Sequence, residues 1–128
     1  MSESSSTTNQ KEKNKAPRRP AEVDKYVDTF LSVVCDPSRR YILELLSFTE
    51  PGENSPMPEM RSGEIAKAIG LSAATTSEHL RQLATIGLVS WRREGNVVYY
   101  QLCNVELVAS FHKLTEALDN NYALKKEM

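Results

Sequence analysis

Residues 62–83 read SGEIAKAIGLSAATTSEHLRQL, with helical spacing on either side of a glycine. In the first half, Ile65, Ala66 and Ile69 fall on one helical face. Gly70 follows, the residue best suited to the left-handed backbone that stops a helix. Leu71 bridges, and Ser72 stands where a hydroxyl can accept from the unsatisfied amides of a second helix. In that helix Thr76, Leu80 and Leu83 recur at i, i+4 and i+7, a stripe for docking onto a core. The opposite face carries Ala73, Ala74, Thr75, Ser77, Glu78 and Arg81, short at its start and polar along its length. Two short helices joined by a tight turn are therefore expected.

Reading downstream, Gly87 ends the second helix. Leu88–Arg93 and Val97–Leu102 are strand-like runs around Glu94-Gly95-Asn96, and a glycine between two such runs marks a hairpin. Asn104 is placed to cap a final helix with Leu107, Phe111, Leu114 and Leu118 along one stripe. Upstream, Val23, Tyr26, Val27, Phe30, Leu31 and Val34 give a first helix from Ala21. Asp36-Pro37 reads as a cap and a first helical position, opening a second helix with Tyr41, Ile42, Leu45 and Leu46 on one face. Residues 50–61 hold three prolines and Gly52 and read as a loop, a surface insertion long for a helix–helix connection. Ser62 is expected to cap the third helix. The expected chain is mainly α with a small β-hairpin, in the order α-α-α-α-β-β-α, as one domain over residues 21–124. Residues 1–20, poor in apolar side chains, read as a disordered basic tail, either simply solvated or adding phosphate contacts.

The 128 residues are 40% hydrophobic and 26% charged, a globular balance. No apolar run is long enough to span a bilayer, and no apolar leader opens the sequence. The two cysteines, Cys35 and Cys103, match no zinc ribbon, disulfide framework or Cys-x-x-Cys redox pair, which suits a reducing cytosol. There is no phosphate-cradling glycine loop, metal-ligand cluster or nucleophile–base pair, so an enzyme is not expected and no cofactor is implied. The net charge is −1, and the tail's five basic and two acidic groups leave −4 for the rest. A polyanionic partner would therefore need positive potential gathered on one face.

That gathering occurs beside the helix pair. Paired helices with a glycine turn form a helix-turn-helix, whose second helix enters the DNA major groove. The basic hairpin that follows, with Arg92 and Arg93 beside the turn and Asn96 in it, is suited to reach flanking phosphates or the minor groove. Ser72, Ala73, Ala74, Thr75, Ser77, Glu78, Arg81, Arg92, Arg93 and Asn96 form the expected DNA face, with Arg61 and Lys67 nearby. The competing class is a winged-helix module that contacts protein; the acidic balance allows it, and the arginines favour DNA.

The same residues resemble the ArsR/SmtB family of winged-helix repressors. Cys35-Asp36-Pro37-Ser38-Arg39-Arg40-Tyr41-Ile42-Leu43 is similar to that family's entry into its second helix. Glu64-Ile65-Ala66 through Leu71-Ser72 to His79-Leu80 is similar to its helix-turn-helix. Gly87-Leu88-Val89 and Arg92-Arg93-Glu94-Gly95-Asn96-Val97-Val98-Tyr99-Tyr100 are similar to its wing. The resemblance implies a homodimer built from the first and last helices through Val23, Tyr26, Val27, Phe30, Leu107, Phe111, Leu114 and Leu118. It also implies an inverted-repeat operator, repression relieved by an effector, and a place in the bacterial cytoplasm at the nucleoid. Its base-contacting positions fall on Ala73, Ala74, Ser77 and Glu78. Alanines there can meet a thymine methyl, and Glu78 either accepts from cytosine N4 or repels wrong sites. His79 falls at a position read as a structural hydrogen bond.

No metal is implied. The family's cysteine ligands near the third helix are replaced by Met60-Arg61-Ser62-Gly63. Its last-helix ligands fall on Asn104, Glu106, Ala117 and Asn120, one ligand in four, and His112 with Glu116 makes only a pair. Cys35 and Cys103 leave two readings of the effector: a thiol switch answering oxidants, reactive sulfur or arsenite, or two inert cysteines and no small-molecule effector.

Overall fold

The computed structural model of the protein describes residues 19–51 and 58–127. Five helices and three strands follow one another as α1 (Ala21–Val34), α2 (Pro37–Phe48), β1 (Glu59–Arg61), α3 (Ser62–Ile69), α4 (Ala73–Thr85), β2 (Val89–Glu94), β3 (Val97–Leu102) and α5 (Val105–Glu127). The basic tail expected over residues 1–20 lies almost wholly outside the described residues.

Local chemistry sets most of the boundaries. The Asp36 carboxylate accepts from the Arg39 amide at 3.1 Å and starts α2, with Pro37 at its first position. Gly70 ends α3 at φ 76°, a conformation that costs glycine nothing. Ser72 Oγ accepts from the Thr75 amide at 3.1 Å and starts α4. Two caps differ from expectation. Arg61, not Ser62, precedes α3; its amide donates to Glu64 Oε1 at 3.0 Å, and its guanidinium to Glu64 Oε2 at 3.2 Å. Asn104 does precede α5, but with φ 55°, and it is its backbone carbonyl that accepts from Leu107 and Val108.

The expected hairpin is part of a larger sheet. β2 and β3 pair antiparallel from Val89↔Leu102 to Glu94↔Val97 around Gly95-Asn96. β1 adds to the free edge of β3, with Glu59 opposite Gln101 and Arg61 opposite Tyr99, giving the order β1-β3-β2. The segment read as a loop over 50–61 thus ends in a strand. Three residues carry too little periodicity to register as one, and the pairing is made with residues about forty positions on.

One core joins the layers. Ile42, Leu43 and Leu46 of α2 meet Ile65 of α3, Leu80 and Leu83 of α4, Leu88, and Val34 of α1, all sealed from solvent. Val89, Leu102 and Val108 of α5 close it on the sheet side. No helix among the described residues is long and apolar enough to cross a membrane.

Candidate nucleic-acid interface

Helix α4 is divided as its sequence requires. Thr76, Leu80 and Leu83 are fully buried. Ser72, Ala73, Ala74, Thr75, Ser77, Glu78 and Arg81 are all exposed on the remaining face. α3 packs against α4 behind that face, and α4 is tied to α2 by a polar clamp. Arg39 Nε donates to His79 Nδ1 at 3.2 Å, while Arg39 Nη1 donates to the Val33 carbonyl at 3.1 Å. His79 is therefore a structural acceptor facing inward. Burial alone would raise the Asp36 carboxyl beside this clamp. The backbone amides of Arg39 and Ser38 and the nearby Arg39 charge oppose burial and hold it below the usual carboxylate value.

The face presented by α4 is close to electrically neutral. Arg81 Nε donates to Glu78 Oε1 at 3.2 Å, and Gln82 Nε2 donates to Glu78 Oε2 at 3.0 Å. These hydrogen bonds, Arg81's first, keep the Glu78 carboxyl below its ordinary value. Both partners of the pair are largely in water, so opening it loses little.

The two wing arginines, adjacent in sequence, are in different situations. Alternation along β2 puts Val89, Trp91 and Arg93 on one face of the sheet and Ser90, Arg92 and Glu94 on the other. Arg93 is exposed two residues before Gly95, and among the described residues it makes no ion pair. Asn96 is exposed at the turn. Arg92 is clasped instead. Its Nη2 donates to Glu59 Oε1 at 2.6 Å and its Nε to Glu59 Oε2 at 3.1 Å. Its guanidinium carbon lies 4.4 Å from the centre of the Tyr99 ring, and Glu94 approaches at 3.5 Å. Only 9% of the Glu59 side chain is exposed. Withdrawing Arg92 would leave that covered carboxylate without a counter-charge, a strongly unfavourable state. Sequence reasoning missed Glu59 altogether, since its partner lies 33 positions away and no local pattern marks the pair.

The expected dimer residues fall into two groups. Phe30, Leu107 and Phe111 pack partly onto their own subunit's core. Val23, Tyr26, Leu114 and Leu118 are exposed, the last three by more than half (56%, 54% and 57%), and Val27 is half-buried. Leu31 on α1 and Tyr122 and Leu124 on α5 are exposed as well.

Cys35 is exposed at the end of α1. The Cys103 thiol donates to the Gly87 carbonyl at 3.1 Å. Burial raises its pKa against the opposing effect of Ser90, so it is held as a thiol rather than a nucleophilic thiolate. Among the described residues no group of three or more His, Cys, Asp or Glu side chains is arranged to hold a metal ion.

The family model for "Bacterial regulatory protein, arsR family" matches residues 36–90, from the α2 cap to the start of the wing. The nodulation protein NolR of Rhizobium meliloti is 37% identical over 71 residues, 56% of this chain and 51% of its own, so the match spans about half of that relative. The transcriptional repressor SdpR of Bacillus subtilis is 30% identical over 76 residues, 59% of this chain and 74% of its own. The solution structure of a homodimeric winged helix-turn-helix DNA-binding domain from Mycobacterium bovis superposes with a TM-score of 0.69 at 26% identity, covering 85% of this chain and 93% of that one. The fold is thus a winged helix-turn-helix, and the chain belongs to the arsR family of bacterial regulatory proteins, which are regulators of transcription and not enzymes.

Proposed function

We propose that this protein is a homodimeric repressor that binds an inverted-repeat site in duplex DNA within the bacterial cytoplasm. One observation carries the reading. The exposed face of α4 is lined by Ala73, Ala74, Ser77 and Glu78, while its opposite stripe is sealed in the core. A helix so docked, with short side chains at its start, can lie in a major groove with its backbone close to base edges. Arg93 and Asn96 then reach the flanking backbone, and Ser72 and Thr75 stand at the helix start where phosphate is favoured. The exposed apolar surface of α1 and α5 supports pairing of two copies, as in the homodimeric M. bovis relative. Neither thiol enters this reading.

Selection of bound sites from random duplexes, followed by titration at several salt concentrations, tests it. An enriched inverted repeat is expected, with affinity falling steadily as salt rises, because phosphate contacts release counterions. Binding to no duplex, or binding indifferent to salt, would favour a module that contacts protein. Leu114→Asp tests the pairing. Leu114 is exposed in the single subunit, so the substitution spares the fold but places a charge in an apolar seam. Sedimentation should show a monomer with weakened operator binding; an unchanged dimer would remove α5 from the interface.

A further inference from the structure

We propose that Arg92 is the positioning residue of the wing and makes no phosphate contact of its own, with Glu59 as the group that holds it. The inference rests on the DNA-binding reading above and concerns how the tip of the same site is presented. Four observations converge. The guanidinium meets both oxygens of one carboxylate, at 2.6 and 3.1 Å. That carboxylate is nine-tenths covered. Tyr99 lies beneath the guanidinium at 4.4 Å, on the strand between the two partners. And Arg92 lies on the sheet face opposite to Arg93.

Together Glu59, Tyr99 and Arg92 form a side-chain brace across all three strands. Arg92 on β2 is the direct partner of Tyr99 on β3, and Glu59 on β1 sits two residues along the same face, opposite Gln101. A two-stranded ribbon alone is marginally stable and twists freely. The brace, with the short β1 it retains, fixes the angle at which Arg93, Gly95 and Asn96 leave the body. The fork geometry requires arginine, because a lysine ammonium cannot bond both oxygens in one plane or stack on the ring in the same way.

The opposite account would make Glu59 a mask that Arg92 leaves in order to bind phosphate, and the two differ in sign. Operator binding by the full-length protein should be measured across a range of salt for wild type, Glu59→Gln, Arg92→Gln, Arg92→Lys and the Glu59→Gln/Arg92→Gln pair. The brace predicts that each single variant loses affinity several-fold and that the double variant loses no more than the worse single one. Arg92→Lys should fail to rescue although it keeps the charge. In an Arg93→Gln background, where the tip has already lost its own phosphate contact, adding Arg92→Gln should leave the slope of log K against log salt unchanged, since Arg92 itself meets no phosphate. Tighter binding by Glu59→Gln, rescue by lysine, or a slope shallower by about a further 0.9 when Arg92→Gln is added to Arg93→Gln, the share of one phosphate, would overturn the brace while leaving the DNA reading intact. A wild-type protein that binds no duplex would remove both.

Discussion

Helix α4 and the wing are the two parts of one surface, and they reach their final form by opposite routes. The helix is organised within itself. Its Ser72–Thr75 cap and its Glu78–Arg81 pair each join residues three apart, and what tertiary packing adds is a core for Thr76, Leu80 and Leu83. The wing is organised from outside. β1 pairs along its outer edge, and its Arg92 is held by Glu59 from the far side of the sheet. A surface can therefore carry two arginines of the same helix–hairpin unit in pairs of different kinds. One sits in a pair exposed on both sides, the other in a pair whose carboxylate is covered.

The sharpest way to test this asymmetry is stability. Leu80→Ala, at a fully buried position of the helix, should lower unfolding free energy by about 2–5 kcal/mol, the range for large-to-small changes in a packed core. Trp91→Ala on the wing, 57% exposed in the single subunit, should cost far less. Urea denaturation of both variants checks the contrast. Equal losses would mean that the wing is as deeply integrated as the helix.

Arg93→Gln gives the next effect, on binding. Its guanidinium has no ion pair among the described residues, so nothing must be given up before it meets a phosphate. Operator affinity should fall several-fold, and the salt slope should become shallower by about 0.9. An unchanged slope would leave the exposed wing arginine without a contact, and the tip would have to approach DNA by some other residue.

How far each region could be read from sequence follows from the same difference. Ser72 as a cap, Gly70 as a left-handed stop and the buried stripe of α4 were all legible, because each depends on neighbours within a helical turn. Thus Ser72, Ala73, Ala74, Thr75, Ser77, Glu78 and Arg81 lie on one exposed face. The pairing of Arg81 with Glu78 is an i, i+3 relation of the kind that sequence spacing exposes. The clasp on Arg92 was not legible. It depends on a carboxylate in a segment that reads as a proline-rich loop, and on a strand of three residues whose partner is remote. The cap of α3 was misplaced by one residue because Arg61 has no capping side chain of the usual kind; the reciprocal bonds come from Glu64. On α5 the exposed series Leu114, Leu118, Tyr122 runs one step beyond the stripe that the sequence spacing marks. Phe111 packs partly onto the core, and spacing alone cannot say which of two neighbouring faces a half-buried aromatic takes.

Glu78→Gln should have the smallest effect, and its direction separates the two kinds of pair. With the carboxylate neutralised, Arg81 keeps a hydrogen-bond acceptor but loses its counter-charge, and the face of α4 gains one positive charge. Because the pair is exposed, stability should change little, in contrast to Leu80→Ala. Affinity for unrelated duplexes should rise modestly and the salt slope steepen, while preference among selected sites should shift wherever Glu78 excludes a base. The wild-type pair itself should be insensitive to pH near neutrality. Arg81 and Gln82 hold the Glu78 carboxyl below its ordinary value, so between about pH 6 and 8 it stays ionised. What stability the depressed carboxyl confers is present above its unfolded pKa and is lost only as pH falls through the lower folded one. Binding curves for wild type and Glu78→Gln, on operator and on unrelated DNA across that pH range, should therefore run parallel. A convergence within it would mean that Glu78 itself titrates near neutrality, since a group elsewhere on the interface would shift both curves alike. Weaker binding of Glu78→Gln to every duplex would mean that Glu78 aims Arg81 at a phosphate, as Glu59 holds Arg92 in place, and the two regions would then work by the same device.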